Sequence, residues 1–261
     1  MPEYTDWILR EDRIARLTLN RAQQHNTLRR ETFQQLREIT RRLRDRNDIW
    51  AVIVDSAGKH FSSGVDERVI GELVGQQARA FRENLRDLQN CLDEFEQLEK
   101  ATIARLHGYC LGGGLLLALC CDFRVAASDA VFGLPEVKRS IAVLMGTQRI
   151  TRVAGVAAAK EMVLLAEDFD AERARKYGLL HRVVPPQELE AEAVGLAERF
   201  LLLPPRAVAI AKRIIDRGYE LPLRESRDLE IDSQLELLHS TDLREALDSF
   251  LEKRQPNFSS K

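Results

Sequence analysis

The chain has 261 residues, with 39 Lys+Arg against 41 Asp+Glu and a formal net charge of -2 at pH 7. It is long enough to bury a sizeable core and too close to neutral to be drawn as a whole to nucleic acid or an anionic membrane. No stretch approaches the ~20 apolar residues of a membrane span, and the charged start MPEYTDWILRED has no apolar targeting core, so a cytoplasmic protein is expected. Cys91, Cys110, Cys120 and Cys121 show no CxxC spacing for a metal, and three of them lie in apolar runs, the pattern of buried free thiols in a reducing compartment.

In chain order, Trp7–Asn20 alternates enough to predict a hairpin turning near Glu11-Asp12. Thr27–Arg46 then changes period: Phe33, Leu36, Ile39 and Leu43 make one apolar helical stripe. A buried strand follows over Ile49–Asp55, a helix over Phe81–Leu98, a strand over Thr102–Leu106, a helix over Leu115–Cys121 and a strand over Phe123–Ala126. Strands alternating with helices predict α/β layering.

From about Gly146 the pattern is almost purely helical. Helices are expected over Thr147–Val153, Ala157–Leu165 and Ala171–Tyr177, then a short strand His181–Val184 stopped by Pro185-Pro186. The rest reads as helices over Glu188–Leu202, Arg206–Arg217, Leu223–Leu238 and Asp242–Glu252, punctuated by Pro204-Pro205 and Gly218.

The segment Gly108–Asp122, GYCLGGGLLLALCCD, carries the most chemistry. Gly112, Gly113 and Gly114 let the backbone approach a ligand closely, and the helix that follows points its free N–H groups back into the turn, where a developing negative charge is stabilised. Neither a P-loop Gly-Lys-Ser/Thr nor a GxGxxG fingerprint is present. Upstream, the strand Val52–Val54 runs into the small-residue loop FSSGVD, which can present a second backbone N–H. Downstream, Phe132-Gly133-Leu134-Pro135-Glu136 places one carboxylate after a turn in apolar surroundings, which raise its pKa towards that of a useful base.

Together, FSSGVD, HGYCLGGG–CCD, FGLPE, Gly146-Thr147-Gln148-Arg149 and the C-terminal FLEKRQPNF resemble the enoyl-CoA hydratase/isomerase (crotonase) superfamily over nearly the whole chain. The resemblance implies an α/β fold: a spiral of ββα units over residues 1–195, then a helical region over 196–261 that builds homotrimers or dimers of trimers and completes the CoA site. It also implies an acyl-CoA substrate, with coenzyme A entering as part of that substrate and no separate cofactor or metal. The thioester carbonyl is expected on the backbone N–H groups of Val65 and Gly113, which polarise it and make the neighbouring C–H acidic. Hydratases of the family hold water between two glutamates; Glu136 matches the second, but the first position is Leu116, and the Pro-Gly-rich loop before GTQR is altered to Ser140–Gly146.

One carboxylate is enough to move one proton between carbons, so double-bond isomerisation of an enoyl-CoA is the preferred reaction, with hydration as the alternative and decarboxylation, thioester hydrolysis or C–C bond chemistry behind it. For CoA, the matching positions are Arg68 at the phosphates, Ser62, Ser63 and Gly64 in the adenine-facing loop with Asp66 expected as an acceptor that fixes that loop, and Gln24 and His25 in the N-terminal loop. Phe250 and Lys253 match residues that reach CoA from a neighbouring subunit. Gly112, Leu116 and Phe132, with Val69, Ile70, Leu73, Val143 and Leu144, are expected to line an apolar acyl pocket. His60 and His107 flank the two oxyanion segments and are expected as scaffold. Arg30, Arg37, Arg41 and Arg44 form a basic stripe, and a superfamily homologue binds RNA through a basic helix. Glu31, Glu38, Asp45 and Asp48 interrupt this stripe, so nucleic acid is a minor alternative.

Overall fold

A computed structural model describes residues 4–259. The chain opens with β1 (Trp7–Arg10) and β2 (Ile14–Leu19), then α1 (Arg30–Arg44), β3 (Ala51–Ser56), α2 (Glu67–Leu73), α3 (Ala78–Glu96), β4 (Ala101–Leu106), β5 (Tyr109–Leu111) and α4 (Gly113–Leu119). It continues through β6 (Phe123–Ala127), β7 (Val131–Gly133), a 3₁₀ turn (Pro135–Arg139), α5 (Thr147–Leu165), β8 (Phe169–Asp170), α6 (Ala171–Lys176) and β9 (Arg182–Val184). Four helices end it: α7 (Leu189–Phe200), α8 (Pro205–Gly218), α9 (Leu223–Leu235) and α10 (Thr241–Glu252).

Six strands form one sheet in the order β1-β2-β3-β4-β6-β9, parallel except for the β1/β2 hairpin. β5, β7 and β8 form a second, small sheet. Each turn therefore repeats a long strand, a short strand and a helix, as in β4-β5-α4 and β6-β7-α5: the ββα spiral. A parallel strand covered on both faces must be apolar on both, and β3 is buried at all six positions. Val52, Val54, Ala104 and Leu106 face a core that includes Phe33, Leu36 and Phe95, while Ile53, Ile103 and Val125 face Leu189, Ala193 and Leu196 of α7. α4 runs through the larger core with all seven residues buried.

Two details of the helices have local causes. Gly155 adopts φ 78°, ψ 163°, which breaks α5 into the two helices expected there without separating them. Residues 195 and 196 both lie within α7, whose Leu196 and Ala197 belong to the core on that face of the sheet. Among the described residues no helix is long and apolar enough to cross a membrane.

Candidate functional site

The parallel strands deliver the site. The loop after β3 and the turn after β5 meet where Ser62 joins Cys110 in a parallel bridge: Ser62 N–H donates to Tyr109 O at 2.9 Å and Leu111 N–H donates to Ser62 O at 3.0 Å. Gly112 follows with φ 48°, ψ -126°, a conformation that needs glycine, and starts α4.

On the other side, the loop is tied to residues 25–28. Ser63 N–H donates to His25 O at 3.0 Å, Leu28 N–H to Gly64 O at 2.8 Å and Asp66 N–H to Leu28 O at 2.9 Å. Because Gly64 O and Asp66 N both face Leu28, the intervening Val65 N–H points the opposite way, towards the glycine turn. Neither the Val65 N–H nor the Gly113 N–H donates to any described residue. The two lie side by side: a Cβ placed on Gly113 falls 2.7 Å from Val65 Cγ2 and 3.4 Å from the Val65 nitrogen. A notch with two open donors results, too narrow for a side chain on Gly113.

Glu136 faces that notch. Gly112 N–H donates to Gly133 O at 2.9 Å, which ties the Pro135–Arg139 turn to the glycine turn. A Cβ on Gly112 would come within 2.8 Å of Glu136 Oε1. The other oxygen, Oε2, is buried and has no hydrogen-bond partner among the described residues. Burial pushes the carboxyl above the usual glutamate range, with Arg139 opposing the shift. A carboxylate in that condition gains by taking a proton.

Leu116, one helical turn into α4, is 2% exposed and packs against Gly146, where a Cβ would lie 2.0 Å from Leu116 Cδ2. The altered Ser140–Gly146 loop is thus pressed onto Leu116, and methyl groups occupy that wall. Val143 and Val69 are buried, at 1% and 5% exposure, and the side chain of Leu73 lies outside the described residues. Glu67 and Glu72 are exposed on α2, with Glu67 3.8 Å from Arg139, so neither adds a second buried carboxylate.

The remaining expected residues divide. Gln24 and His25 are exposed beside the FSSGVD loop, and His25 tilts 5.4 Å from His60. Arg68 is exposed on α2 without an ion-pair partner among the described residues. Phe250 is 81% exposed on α10, and Lys253 is its exposed left-handed C-cap.

Ser62 and Phe132 sit differently from expectation, and Asp66 is the loop-fixing acceptor that was expected. Ser62 is fully buried; its hydroxyl donates to Asn26 O at 2.7 Å and accepts from Gly64 N–H at 3.1 Å, so it pins the turn instead of facing a nucleotide. Asp66 caps α2, accepting from Arg68 N–H at 3.1 Å and Thr27 Oγ1 at 3.2 Å; those bonds hold its pKa down. Phe132 is fully buried in β7, 6.1 Å from Phe169, and belongs to the packing behind the site. His60 accepts from Tyr109 N–H at 3.1 Å and stacks on that ring, His107 lies 3.0 Å from Gly58 O, and burial lowers both pKa values.

Sequence reasoning missed Asn26. Its buried amide donates to Ala57 O and His60 O, both at 2.8 Å, and accepts from Arg21 N–H at 2.9 Å, stitching the N-terminal loop to the loop after β3. The available signal was an Asn in a polar turn, since Asn tolerates the φ of 53° found there. The basic stripe of α1 is neutralised at its middle: Arg37 pairs with Asp87 and Glu94, and Arg41 with Glu94, while Arg30 and Arg44 have no ion-pair partner among the described residues. All four cysteines are free and buried, and no described cluster of three His, Cys, Asp or Glu is placed to hold a metal.

Comparison with known proteins finds relatives over nearly the whole chain. The sequence model of the enoyl-CoA hydratase/isomerase family matches residues 10–261. A crotonyl-CoA hydratase of Syntrophomonas wolfei is 34% identical over 254 residues, 97% of this chain and 96% of that protein. A peroxisomal Delta(3,5)-Delta(2,4)-dienoyl-CoA isomerase of Arabidopsis thaliana is 30% identical over 257 residues, 94% and 92% of the two chains. Among solved structures, an enoyl-CoA hydratase from Bacillus anthracis superimposes with a TM-score of 0.90 at 31% identity, covering 98% of this chain and all of that one.

Proposed function

The chain belongs to the enoyl-CoA hydratase/isomerase family, and on that premise we propose that it shifts the double bond of an enoyl-CoA with Glu136 as its single acid/base. In this reading the thioester carbonyl accepts from Val65 N–H and Gly113 N–H. Glu136 breaks the C2–H bond of a 3-enoyl thioester and takes the proton. The electron pair delocalises from the carbonyl oxygen to C4 as a dienolate, and Glu136 returns the proton to C4, leaving the double bond between C2 and C3. The two donors act on charge that exists only during the reaction, each contributing ~3–4 kcal/mol.

The observation that carries the choice is Leu116. Its methyl groups pack on Gly146 where a second carboxylate would have to stand to hold water, while Glu136 Oε2 has no partner to share a proton with. A hydratase reading keeps the support of names: the Syntrophomonas relative, a short-chain-enoyl-CoA hydratase of Clostridium acetobutylicum and the Bacillus anthracis structure are all named for hydration. The discriminating experiment incubates the enzyme with 2-enoyl, 3-enoyl and malonyl-type CoA thioesters and follows products by mass spectrometry with chromatographic separation. Isomerisation leaves mass unchanged and moves the double bond; a gain of water from the 2-enoyl thioester alone would overturn the isomerase assignment, and loss of carbon dioxide would point to decarboxylation.

CoA is bound as part of the substrate, its phosphates meeting Arg68 and its nucleotide lying near Gln24, His25 and Ser63. A homotrimer, or a dimer of trimers, completes the site with Phe250 and Lys253 of an adjacent copy. The support is the row of exposed apolar side chains on the C-terminal helices, including Ile215, Tyr219, Ile231, Phe250 and Leu251. Light scattering is expected to give a multiple of three chains. The buried free thiols suit a cytoplasmic enzyme.

A further inference from the structure

A second cavity, of about 610 Å³, lies at the opposite end of the sheet. The open amides follow the C-terminal ends of the strands, whereas this cavity is lined by Trp50, directly before β3, and by Lys100, directly before β4. A six-residue strand is ~20 Å long, so the two sites are separated by about that length.

The lining is cationic and its charges are not neutralised from within. Arg44, Arg206 and Arg217 all line the cavity, all are exposed, and none pairs with a carboxylate among the described residues. Lys100 is only 9% exposed; its ammonium donates to Arg46 O at 2.8 Å and, among the described residues, has no carboxylate within ion-pair distance. The acid in the lining, Glu99, is already held by Arg213 at 3.3 Å. The first turn of α8 opens on the same space, with no acidic side chain there to satisfy its N–H groups. Burial also pushes the Lys100 pKa down, a cost that an anion beside it would remove.

We propose that this cavity is a binding site for a small phosphorylated molecule carrying at least two phosphate charges, distinct from the acyl-thioester site. Guanidinium groups match phosphate oxygens in pairs, and four cations facing no free acid suit a diphosphate better than a monoanion. Trp50, Leu98 and Ala209 supply apolar wall for the rest of such a ligand. The site adds to the proposed reaction and does not depend on it.

The test is calorimetric titration of the full-length protein with inorganic pyrophosphate and with ADP. The variants are R206Q/R217Q, both exposed positions, and R68Q, which alters only the expected CoA phosphate contact. The expected result is one pyrophosphate per chain, weakened by roughly tenfold or more in R206Q/R217Q, unchanged in R68Q, and tighter binding of ADP than of pyrophosphate. Absence of heat from both ligands overturns the proposal, as does binding lost in R68Q and kept in R206Q/R217Q, which assigns the anion to the thioester site. A single-stranded RNA 12-mer that binds in an Arg206- and Arg217-dependent manner while pyrophosphate does not compete also overturns it, since the face would then serve a polymer. Unchanged melting temperature in R206Q/R217Q shows that lost binding is not lost folding.

Discussion

Asp66 and Glu136 stand on either side of the paired amides, and the fold treats them in opposite ways. Asp66 sits at a helix start with every advantage given to its charged form: the Arg68 N–H, the Thr27 hydroxyl and the Arg21 guanidinium 3.5 Å away. Glu136 has one oxygen against the Cα of Gly112 and the other buried without a partner. Their residue chemistry is nearly the same. The difference in proton affinity comes from what each oxygen touches, which makes Asp66 a fastener and Glu136 a proton acceptor.

The sharpest way to break this contrast is Glu136→Gln. The amide keeps the shape but cannot take a proton, so turnover is expected to fall by roughly 10²–10⁴-fold with little change in thioester affinity. Deuterium exchange at C2 of a bound thioester reads the step directly, and exchange that survives in the variant removes Glu136 from the mechanism. Stability should move the other way. The folded carboxyl has a raised pKa, so it binds more protons than the unfolded chain near its titration range, and stability declines as pH rises through the folded value. Glu136→Gln should therefore melt higher than wild type at neutral pH and lose that advantage as pH falls towards the ordinary glutamate range.

Next in size is Gly113→Ala. The added methyl would lie 2.7 Å from Val65 Cγ2, so the two donors must part or the thioester must withdraw. Loss of one donor typically costs ~10²–10³ in turnover. An isotope-edited infrared spectrum of a bound acyl thioester should show the carbonyl stretch returning towards its solution frequency; an unshifted band in the variant would mean the carbonyl does not sit on these amides.

Much of this was legible because its causes are local. β3 announces itself by a β-branched run, α1 by its 3.6-residue stripe, and the glycine turn by three residues that no ordinary element would place in sequence. Glu136 was found from a Pro-Glu turn in apolar company. What could not be read depends on contacts between distant segments. β5 and β7 are three residues long, too short for alternation to show, and β8 is a pair of residues defined only by its neighbour. The inward turn of Ser62 is set by Asn26, 36 positions earlier. Leu116 looks like any core leucine until Gly146 is seen beneath it. Phe132 belongs to the FGLPE motif, and a motif match marks a ring as close to the site without saying which side of the wall it occupies.

Leu116→Glu sharpens the comparison by adding a carboxylate to the dry wall. It faces a tight site: Leu116 already fills the space up to Gly146, and a buried second charge costs several kcal/mol unless it is protonated or hydrogen-bonded. Hydration of a 2-enoyl thioester is expected to rise relative to isomerisation, with a lowered melting temperature. A variant that stays folded and shows no gain in water-adduct formation would mean that the Ser140–Gly146 loop, not Leu116, sets the reaction.

The smallest effect belongs to Asp66, and it tests the fastener assignment. Asp66→Ala removes the cap of α2 and the anchor of Thr27, a loss of about 1 kcal/mol typical of an N-cap, equivalent to a fall of ~2–4 °C in melting temperature for a chain of this size. Asp66→Asn keeps an acceptor for the Arg68 N–H and should recover most of that loss at pH 7. The two differ in acid. The wild-type carboxylate has a folded pKa below its ordinary value, so its contribution is complete above that ordinary value and is lost as pH falls through the folded one; Asp66→Asn should show no such loss. Turnover should change by less than roughly tenfold in both variants, because Val65 remains tied through Leu28 by Gly64 O. A loss in Asp66→Asn comparable to that in Glu136→Gln would place Asp66 in the proton path and end the distinction between the two carboxylates.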